Sequence, residues 1–423
     1  MSFPRKSPPG GNRSYRKTRQ SRTFLCSGCR VFYMMEVSET SCSEVGGIMV
    51  TNKQETRGVD SKHDAALRHR FVKAMTADML HGSKDSPVDL PQIVAGMIGM
   101  AGPIALGIAG GHTGLGLLAS FGAMVVSGAS SGGTIRRRAV EMTGTMLVGT
   151  AAVFAGSLMG GRGWLTSVCI VLMSTAAALL GGMGRSAAQA GTQFMLFAIM
   201  GAGLGDGGLR QHPYTLACLF AAGSLWGMVV SLIAASLLPS SGRRLDAAPA
   251  AAISHTERLR RWRRSLAHVS GWQYTLRVAL CMTAAETVGM FLHHERSYWI
   301  SLTVALVLQR NFASALTRTV QRGIGTAAGV LLSGLLLLGP LPHMGMVLLV
   351  AILAALRPIF KHRSYALYAA LMTPLLVVIF SLGGPVTGSL LFERFLDTMI
   401  GCIISLVLGC LVWPNRNALS RKV

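Results

Sequence analysis

Long apolar stretches with almost no charged residues recur from residue 91 almost to the end of the chain. Several approach the ~20 residues that a helix needs to cross ~30 Å of hydrocarbon. Only 13% of the residues are charged, whereas an ordinary soluble domain has about a quarter. Because lipid admits only backbone that satisfies its own hydrogen bonds, the sequence predicts an all-α integral membrane protein.

Twelve transmembrane helices are predicted, six on each side of a polar segment. The first six cover residues 91–110, 114–131, 141–159, 164–183, 187–204 and 214–238. The last six cover residues 274–292, 298–312, 322–339, 344–358, 364–382 and 396–413. Residues 91–239 and 274–414 are therefore predicted as two membrane domains, joined by a basic linker at 240–273.

The two membrane domains repeat each other in sequence. Gly144 and Thr145 stand in the third span of the first domain, where Gly325 and Thr326 stand in the third span of the second. Both domains also close with an apolar run that ends in proline. Because each domain has an even number of spans, both enter the membrane from the same side. The predicted architecture is therefore two parallel six-helix repeats packed as a pseudo-dimer.

The formal net charge of +23 lies mainly in the first 90 residues and on one set of loops. By the positive-inside rule this side is cytoplasmic, together with both chain ends and the linker. Residues 1–90 lack a sustained apolar period and are predicted to be a mostly disordered tail, and residues 415–423 a second short tail. In a membrane protein such charge favours anionic lipid over nucleic acid as a partner of the tail and linker.

No spacing of cysteine or histidine predicts a metal site or a disulfide framework. The eight cysteines are scattered, and Cys26 and Cys29 form a lone CxxC pair. Nucleophiles and acid–base pairs do not converge in any motif. The sequence therefore predicts no metal, no cofactor and no enzymatic activity.

Residues 310–330, RNFASALTRTVQRGIGTAAGV, place Arg310, Arg318 and Arg322 between two apolar stretches. In one interpretation these arginines only hold their loop in the cytoplasm. In the other they form, with Gln309, the cytoplasmic entrance for an anionic solute, because a partly desolvated guanidinium pairs with a carboxylate in a bidentate manner.

Small residues follow these arginines and permit close contact between helices. Gly325, Thr326 and Gly329 are therefore predicted to lie at a helix interface, as are Gly144 and Thr145 in the first repeat.

The stretch 298–330 resembles the signature region of the fusaric acid resistance (FUSC) family, in which a Trp-bearing span ends near Gln and leads into an R-x-x-GT-x-x-G helix. The matching residues are Trp299, Gln309, Arg318, Arg322, Gly325, Thr326 and Gly329, and Arg277 resembles an arginine of the preceding helix. The resemblance implies a bacterial-type inner-membrane exporter of aromatic or other organic acids. Larger members carry a sizeable soluble domain, whereas only a short linker occurs here.

Two carboxylates lie in apolar spans of the second repeat. Glu286 is near the centre of TLRVALCMTAAETVGMFL, where an acidic side chain is unfavourable unless it is paired, protonated or facing a cavity. It is predicted to carry a proton or to pair with an arginine. Asp397, three residues after Arg394, is predicted to form an interfacial salt bridge or a proton exit. Trp299 suits either an aromatic belt or a substrate contact.

The sequence thus predicts an inner-membrane transporter that exports organic acids, aromatic carboxylic acids foremost. In this hypothesis Arg318 and Arg322 admit the anion, Arg277 is an internal counter-charge, and Glu286 is the leading proton carrier. Two alternatives stay open: a passive organic-anion channel of the same fold, and a membrane anchoring or assembly protein that transports nothing. A homo-oligomer is compatible with each.

Overall fold

The computed structural model describes residues 89–129, 134–205, 212–238, 255–292, 296–337, 339, 342–384 and 388–413. Within these ranges the regular elements are all helices, which confirms the all-α prediction. The predicted tails lie outside the described residues, apart from the last two residues of 1–90.

Six α-helices form the first half of the membrane region. They are α1 Leu90–Ala109, α2 Thr113–Ser127, α3 Ile135–Met159, α4 Trp164–Leu180, α5 Arg185–Gly205 and α6 Pro213–Leu237. Their starts follow from local chemistry. Pro91 and Pro213 occupy first turns, where a missing N–H removes no helical hydrogen bond. The Thr134 hydroxyl caps α3 by accepting the Arg137 N–H at 3.4 Å.

One helix of the linker and six of the second half follow. They are α7 His255–Leu266 in the linker, then α8 Val269–Leu292, α9 Tyr298–Val307, α10 Phe312–Leu336, α11 His343–Arg363, α12 Tyr365–Gly383 and α13 Gly388–Leu406. A π-helical turn, Val407–Leu411, continues α13. The predicted linker is therefore partly helical.

Among the described residues, nine helices are long and apolar enough to cross a membrane: α1, α3, α4, α5, α6, α8, α11, α12 and α13. Helices α2 and α9 are apolar but have only 15 and 10 residues. Helix α10 has 25 residues but carries Arg318, Gln321 and Arg322 in its first half. Helices thus occur at each of the twelve predicted positions, and nine meet the requirement for a span. The protein is a multi-pass membrane protein, and the count of twelve spans stays a prediction.

The helices pack against one another in a recurring set of pairs. In the first half α3 packs on α5 and α6, α2 on α6, α1 on α2, and α4 on α5. In the second half α10 packs on α12 and α13, α9 on α13, α8 on α9, and α11 on α12. Helices of different halves also meet, with α4 against α8, α11 against α1, and α5 against α9.

The main apolar clusters lie where the halves meet. One joins α4 and α5 to α8 and α9 through buried residues such as Ile199 and Ile300. The other joins α1 and α2 to α11 and α12 through residues such as Met100 and Leu375. Large apolar side chains such as Leu106 remain exposed on the outer faces of the helices, as contact with lipid requires.

Candidate functional site

Arg322 and Arg394 are two arginines of the second half that lie buried between α9, α10 and α13. Arg322 belongs to α10 and is 3% exposed, and Arg394 belongs to α13 and is 2% exposed. Their guanidinium groups are close enough for the positive charges to repel each other. Because a charge inside a membrane-spanning bundle is unfavourable unless it is compensated, the pair requires neighbours that stabilise it.

The ring of Trp299 provides part of that environment. The Arg394 Cζ atom lies 4.4 Å from the centroid of the Trp299 ring, a distance at which a cation is attracted to an aromatic face. Trp299 is 3% exposed and also contacts the ring of Phe380, with 6.1 Å between centroids. Trp299 therefore lies inside the bundle, away from the lipid-facing surface.

Asp397 lies on α13, about one turn after Arg394. It is fully buried, and its negative charge interacts with Arg394. The sequence places Asp397 at the outer end of the last span, as part of an interfacial salt bridge or a proton exit. In the structure it is buried inside the protein beside Arg394, and its role stays a prediction. We call Trp299, Arg322, Arg394 and Asp397 the arginine cluster.

Several buried polar atoms in and beside this cluster have no hydrogen-bond partner among the described residues. They include Nε of Arg322, and Nε and Nη1 of Arg394. The hydroxyl oxygens of Thr303 and Thr326 share this property, and Thr326 follows Arg322 by one turn on α10. Because buried polar groups are paired in most folded proteins, this set offers N–H donors to a ligand.

Glu286 contacts serine side chains of two other helices. Its Oε1 atom accepts a hydrogen bond from the Ser301 hydroxyl of α9 at 2.5 Å, and the Ser167 side chain of α4 lies near the same carboxyl group. Ser167 belongs to the first half and Glu286 to the second, so the carboxylate joins the two halves. Sequence reasoning missed both serines, because helical serines are common and only the fold brings these three residues together.

Arg277 is 1% exposed and contacts backbone carbonyls of its own half. Its Nε donates to the Gly409 oxygen at 2.5 Å, and its Nη1 to the Gln309 oxygen at 3.3 Å. Its Cζ lies 4.0 Å from the Phe312 ring centroid. Gly409 belongs to the π-helical turn, where the regular helical pairing is interrupted. Arg277 therefore supports irregular backbone, and Gln309 contributes its carbonyl to this contact.

The three arginines of residues 310–330 point to different places. Arg310 Nη2 donates to the Ala178 oxygen at 2.9 Å, near the end of α4. Arg318 is exposed, with its Cζ 5.3 Å from the Tyr365 ring centroid. Only Arg322 enters the buried cluster. The structure therefore does not bring the three side chains together.

The small residues singled out in the sequence have different surroundings. A Cβ built at Gly329 would lie 2.7 Å from the Ala370 oxygen of α12, and one at Gly325 would be 2.8 Å from the Ala369 Cβ. Thr326, between them, is fully buried.

In the first half the equivalent pair has fewer contacts. Gly144 is exposed, and no heavy atom lies within 4 Å of a Cβ built there. Thr145 is largely buried and donates its hydroxyl to the Glu141 oxygen at 2.9 Å. The close contacts of α3 lie instead at Gly149, against Phe220, and at Gly156, against Ala198.

No group of three or more His, Cys, Asp or Glu side chains is placed to hold a metal ion in the part of the chain that the structure describes.

Apolar helices with buried charges between them define this chain as a multi-pass, all-helical membrane protein. Residues 280–408 match the model of the family described as fusaric acid resistance protein-like. This segment contains the whole arginine cluster, and its similarity to that family model confirms the resemblance seen in the sequence.

Three curated relatives support this assignment. The uncharacterized protein YhfK of Escherichia coli (strain K12) is 29% identical over 150 residues, which are 34% of this chain and 21% of the relative. The uncharacterized membrane protein YvaC of Bacillus subtilis (strain 168) is 31% identical over 141 residues, 33% of this chain and 22% of the relative. The inner membrane protein YccS of Escherichia coli (strain K12) is 31% identical over 139 residues, 33% of this chain and 19% of the relative.

The match therefore covers only 19 to 22% of the length of these relatives. No solved structure matches the chain.

Proposed function

We propose that this protein transports organic anions across the membrane. The observation that carries the proposal is the pair of buried arginines, Arg322 and Arg394, with N–H groups that have no partner among the described residues. A buried cation requires an opposite charge or several hydrogen-bond acceptors. An anion passing through the bundle supplies both, and a carboxylate matches the planar fork of a guanidinium.

The proposed route begins at the basic side of the membrane, which the positive-inside rule makes cytoplasmic. Arg318 is exposed at the start of α10, and Arg322 is buried one turn further along the same helix. An anion attracted by Arg318 would therefore meet Arg322 next. Arg310, Gln309 and Arg277 hold the backbone beside this entrance, through the carbonyl contacts described above.

The proposed location is a bacterial-type inner membrane, with both chain ends in the cytoplasm. The similarity to YccS, an inner membrane protein, supports the inner membrane. The net charge of +23 supports the orientation. It also supports contact of the basic tail and linker with anionic lipid.

The architecture that we propose is two parallel six-helix repeats forming a pseudo-dimer. The pairs α3 with α5, α2 with α6 and α1 with α2 recur as α10 with α12, α9 with α13 and α8 with α9. The contact of α4 with α8 is likewise mirrored by that of α11 with α1. Such reciprocal contacts are expected when two copies are related by an axis along the membrane normal.

Export of aromatic carboxylic acids is the specific activity that the family resemblance implies, and coupling to protons is proposed from the position of Glu286 in an apolar helix. Trp299 supports an aromatic ligand, because its ring lies beside Arg394. Glu286 is the proposed proton carrier. Its carboxyl group accepts a hydrogen bond from Ser301 and lies near Ser167 of the first half, so a change in its protonation would alter contacts with both serines.

A passive anion channel is the second candidate function. It is favoured by the contacts of Glu286, since a carboxyl group that accepts a hydrogen bond from Ser301 and lies near Ser167 is also suited to a purely structural role. In a channel, flux follows the anion gradient and the membrane potential and does not depend on a pH gradient.

The test is efflux of preloaded benzoate from proteoliposomes, with and without an imposed pH gradient. We expect wild-type flux to be lost in Arg322→Gln and kept in Arg137→Gln, which removes an exposed arginine paired with Glu141. Stimulation by the pH gradient that disappears in Glu286→Gln supports a coupled exporter, and indifference to the gradient supports a channel. Wild-type flux equal to that of empty liposomes, over a panel of organic acids, contradicts the proposal and supports an anchoring role.

A further inference from the structure

The arginine cluster has an uneven charge. Arg322 and Arg394 are cationic, Asp397 is the one carboxylate among the cluster's four residues, and all three are at most 3% exposed. These side chains therefore have one positive charge in excess. Three charged residues lie next to the cluster along the chain and are less buried than its members: Arg318, which is exposed one turn before Arg322, and Arg296 and Glu393, which are of opposite sign. None of them belongs to the buried balance.

The two arginines carry polar atoms that have no hydrogen-bond partner among the described residues. They are three N–H groups of the two arginines, at Nε of Arg322 and at Nε and Nη1 of Arg394. Such donors match one carboxylate, whose two oxygens accept several hydrogen bonds. The site therefore provides both the charge and the donors for a single anionic group.

We propose that the arginine cluster binds the carboxylate of a singly charged organic anion, and that Asp397 excludes ligands with a second negative charge. One bound carboxylate neutralises the excess charge. A second carboxylate on the same ligand would be repelled by Asp397, with little water to screen the two charges. The inference rests on the proposed function for the class of ligand, and adds a site and a specificity-determining residue to it.

This role differs from that of an ion pair that only holds α13 in place. A structural pair predicts that neutralising Asp397 weakens every ligand equally, through loss of folding. A charge filter predicts that the ratio between singly and doubly charged ligands changes, because only the repulsion of the second charge is removed.

The test uses equilibrium binding of radiolabelled benzoate and phthalate to the purified full-length chain, at a pH where both carboxyl groups of phthalate are ionised. We expect the wild type to bind benzoate at least about tenfold more tightly than phthalate. Asp397→Asn should reduce this ratio by about tenfold, and Arg394→Gln should abolish binding of both probes. Arg296→Gln is the matched control, because it removes a neighbouring arginine that lies 5.5 Å over the Phe380 ring, and it should keep the ratio.

If the wild-type protein binds phthalate as tightly as benzoate, that measurement alone overturns the inference. An unchanged ratio in Asp397→Asn, in protein that elutes and unfolds like the wild type, also overturns it. If Asp397→Asn does not fold, Asp397→Glu keeps the charge and must keep the preference for benzoate, so a shift toward phthalate in that variant overturns the charge filter.

Binding and transport are measured separately, so the two proposals can fail separately. If the protein shows the expected binding ratio but no flux in proteoliposomes, the proposed function is contradicted and the proposed binding site is still supported. If the protein shows flux but binds the two probes equally well, the proposed binding site is contradicted and the proposed transport function is still supported.

Discussion

The buried arginines of the second half differ in what their N–H groups contact. Arg277 donates to the carbonyls of Gly409 and Gln309 and lies over the Phe312 ring, although its Nη2 has no hydrogen-bond partner among the described residues. Arg322 and Arg394 lie at the same low exposure, but the N–H groups named above have no partner among the described residues. Arginine suits both roles because its five donors are fixed in one plane. All three arginines are almost equally buried, so burial does not distinguish their roles. An arginine with carbonyl acceptors beside it supports the backbone, and an arginine without such acceptors is available to a ligand.

The hydrogen bond from Ser301 to Glu286 is expected to contribute to the stability of the fold. Ser301→Ala removes a hydrogen bond to a buried carboxylate, and bonds to charged groups contribute about 1.5–3 kcal/mol. We expect Ser301→Ala to lower the free energy of unfolding by that amount, and Ser301→Thr to restore most of it. Thermal unfolding of the purified protein in detergent measures the effect.

Ser236→Ala is the control for that experiment, because the Ser236 hydroxyl donates to the Ile233 oxygen at an exposed position. Equal unfolding temperatures for the Ser236 and Ser301 variants would show that the Ser301–Glu286 bond contributes nothing to stability.

Among the helices, close approach depends on which face of a helix a glycine occupies. Gly325 and Gly329 lie four residues apart on α10, facing α12, so the two helix backbones come close together. Gly144 stands at the equivalent position of α3 in the sequence repeat, yet it faces open space. Similar sequence therefore does not give equal contacts in the two halves.

This difference between α10 and α3 predicts opposite outcomes for the same substitution. In Gly329→Leu the new side chain would overlap the Ala370 carbonyl, and overpacking of this kind costs about 1–3 kcal/mol. Gly144→Leu places its side chain in open space, so its unfolding temperature should stay at the wild-type value. Thermal unfolding of both variants in the same detergent tests this, and equal destabilisation would contradict the interface between α10 and α12.

Over the whole molecule, the sequence predicts best what depends on one segment and worst what depends on contacts between segments. The all-α membrane class follows from the length and apolarity of each stretch, and all twelve predicted positions contain helices. Arg322 is recognisable because it lies in a family motif. Arg394 and Asp397 look like residues at the outer end of a span, and only the packing of α13 against α9 and α10 buries them.

The two halves are joined by polar contacts as well as by shared apolar clusters. Arg310 donates to the Ala178 oxygen, Arg357 to the Met124 oxygen and Lys361 to the Gly128 oxygen. Each contact places a cation of the second half near the carboxyl end of a first-half helix, where the helix dipole is negative. Both large apolar clusters also draw on both halves, and smaller clusters, such as the one around Phe220, lie within one half. The two halves therefore share most of their core.

This shared core predicts how a divided chain behaves. We expect residues 1–250 and 251–423, produced together as separate chains, to co-purify as one complex that unfolds in a single transition. Each part produced alone should aggregate in detergent, because the residues around Ile300 and Leu375 would lose their partners on α4, α5, α1 and α2. Size-exclusion chromatography and thermal unfolding measure both outcomes. A second half that is monodisperse alone and unfolds at the temperature of the full chain would show that each repeat folds independently.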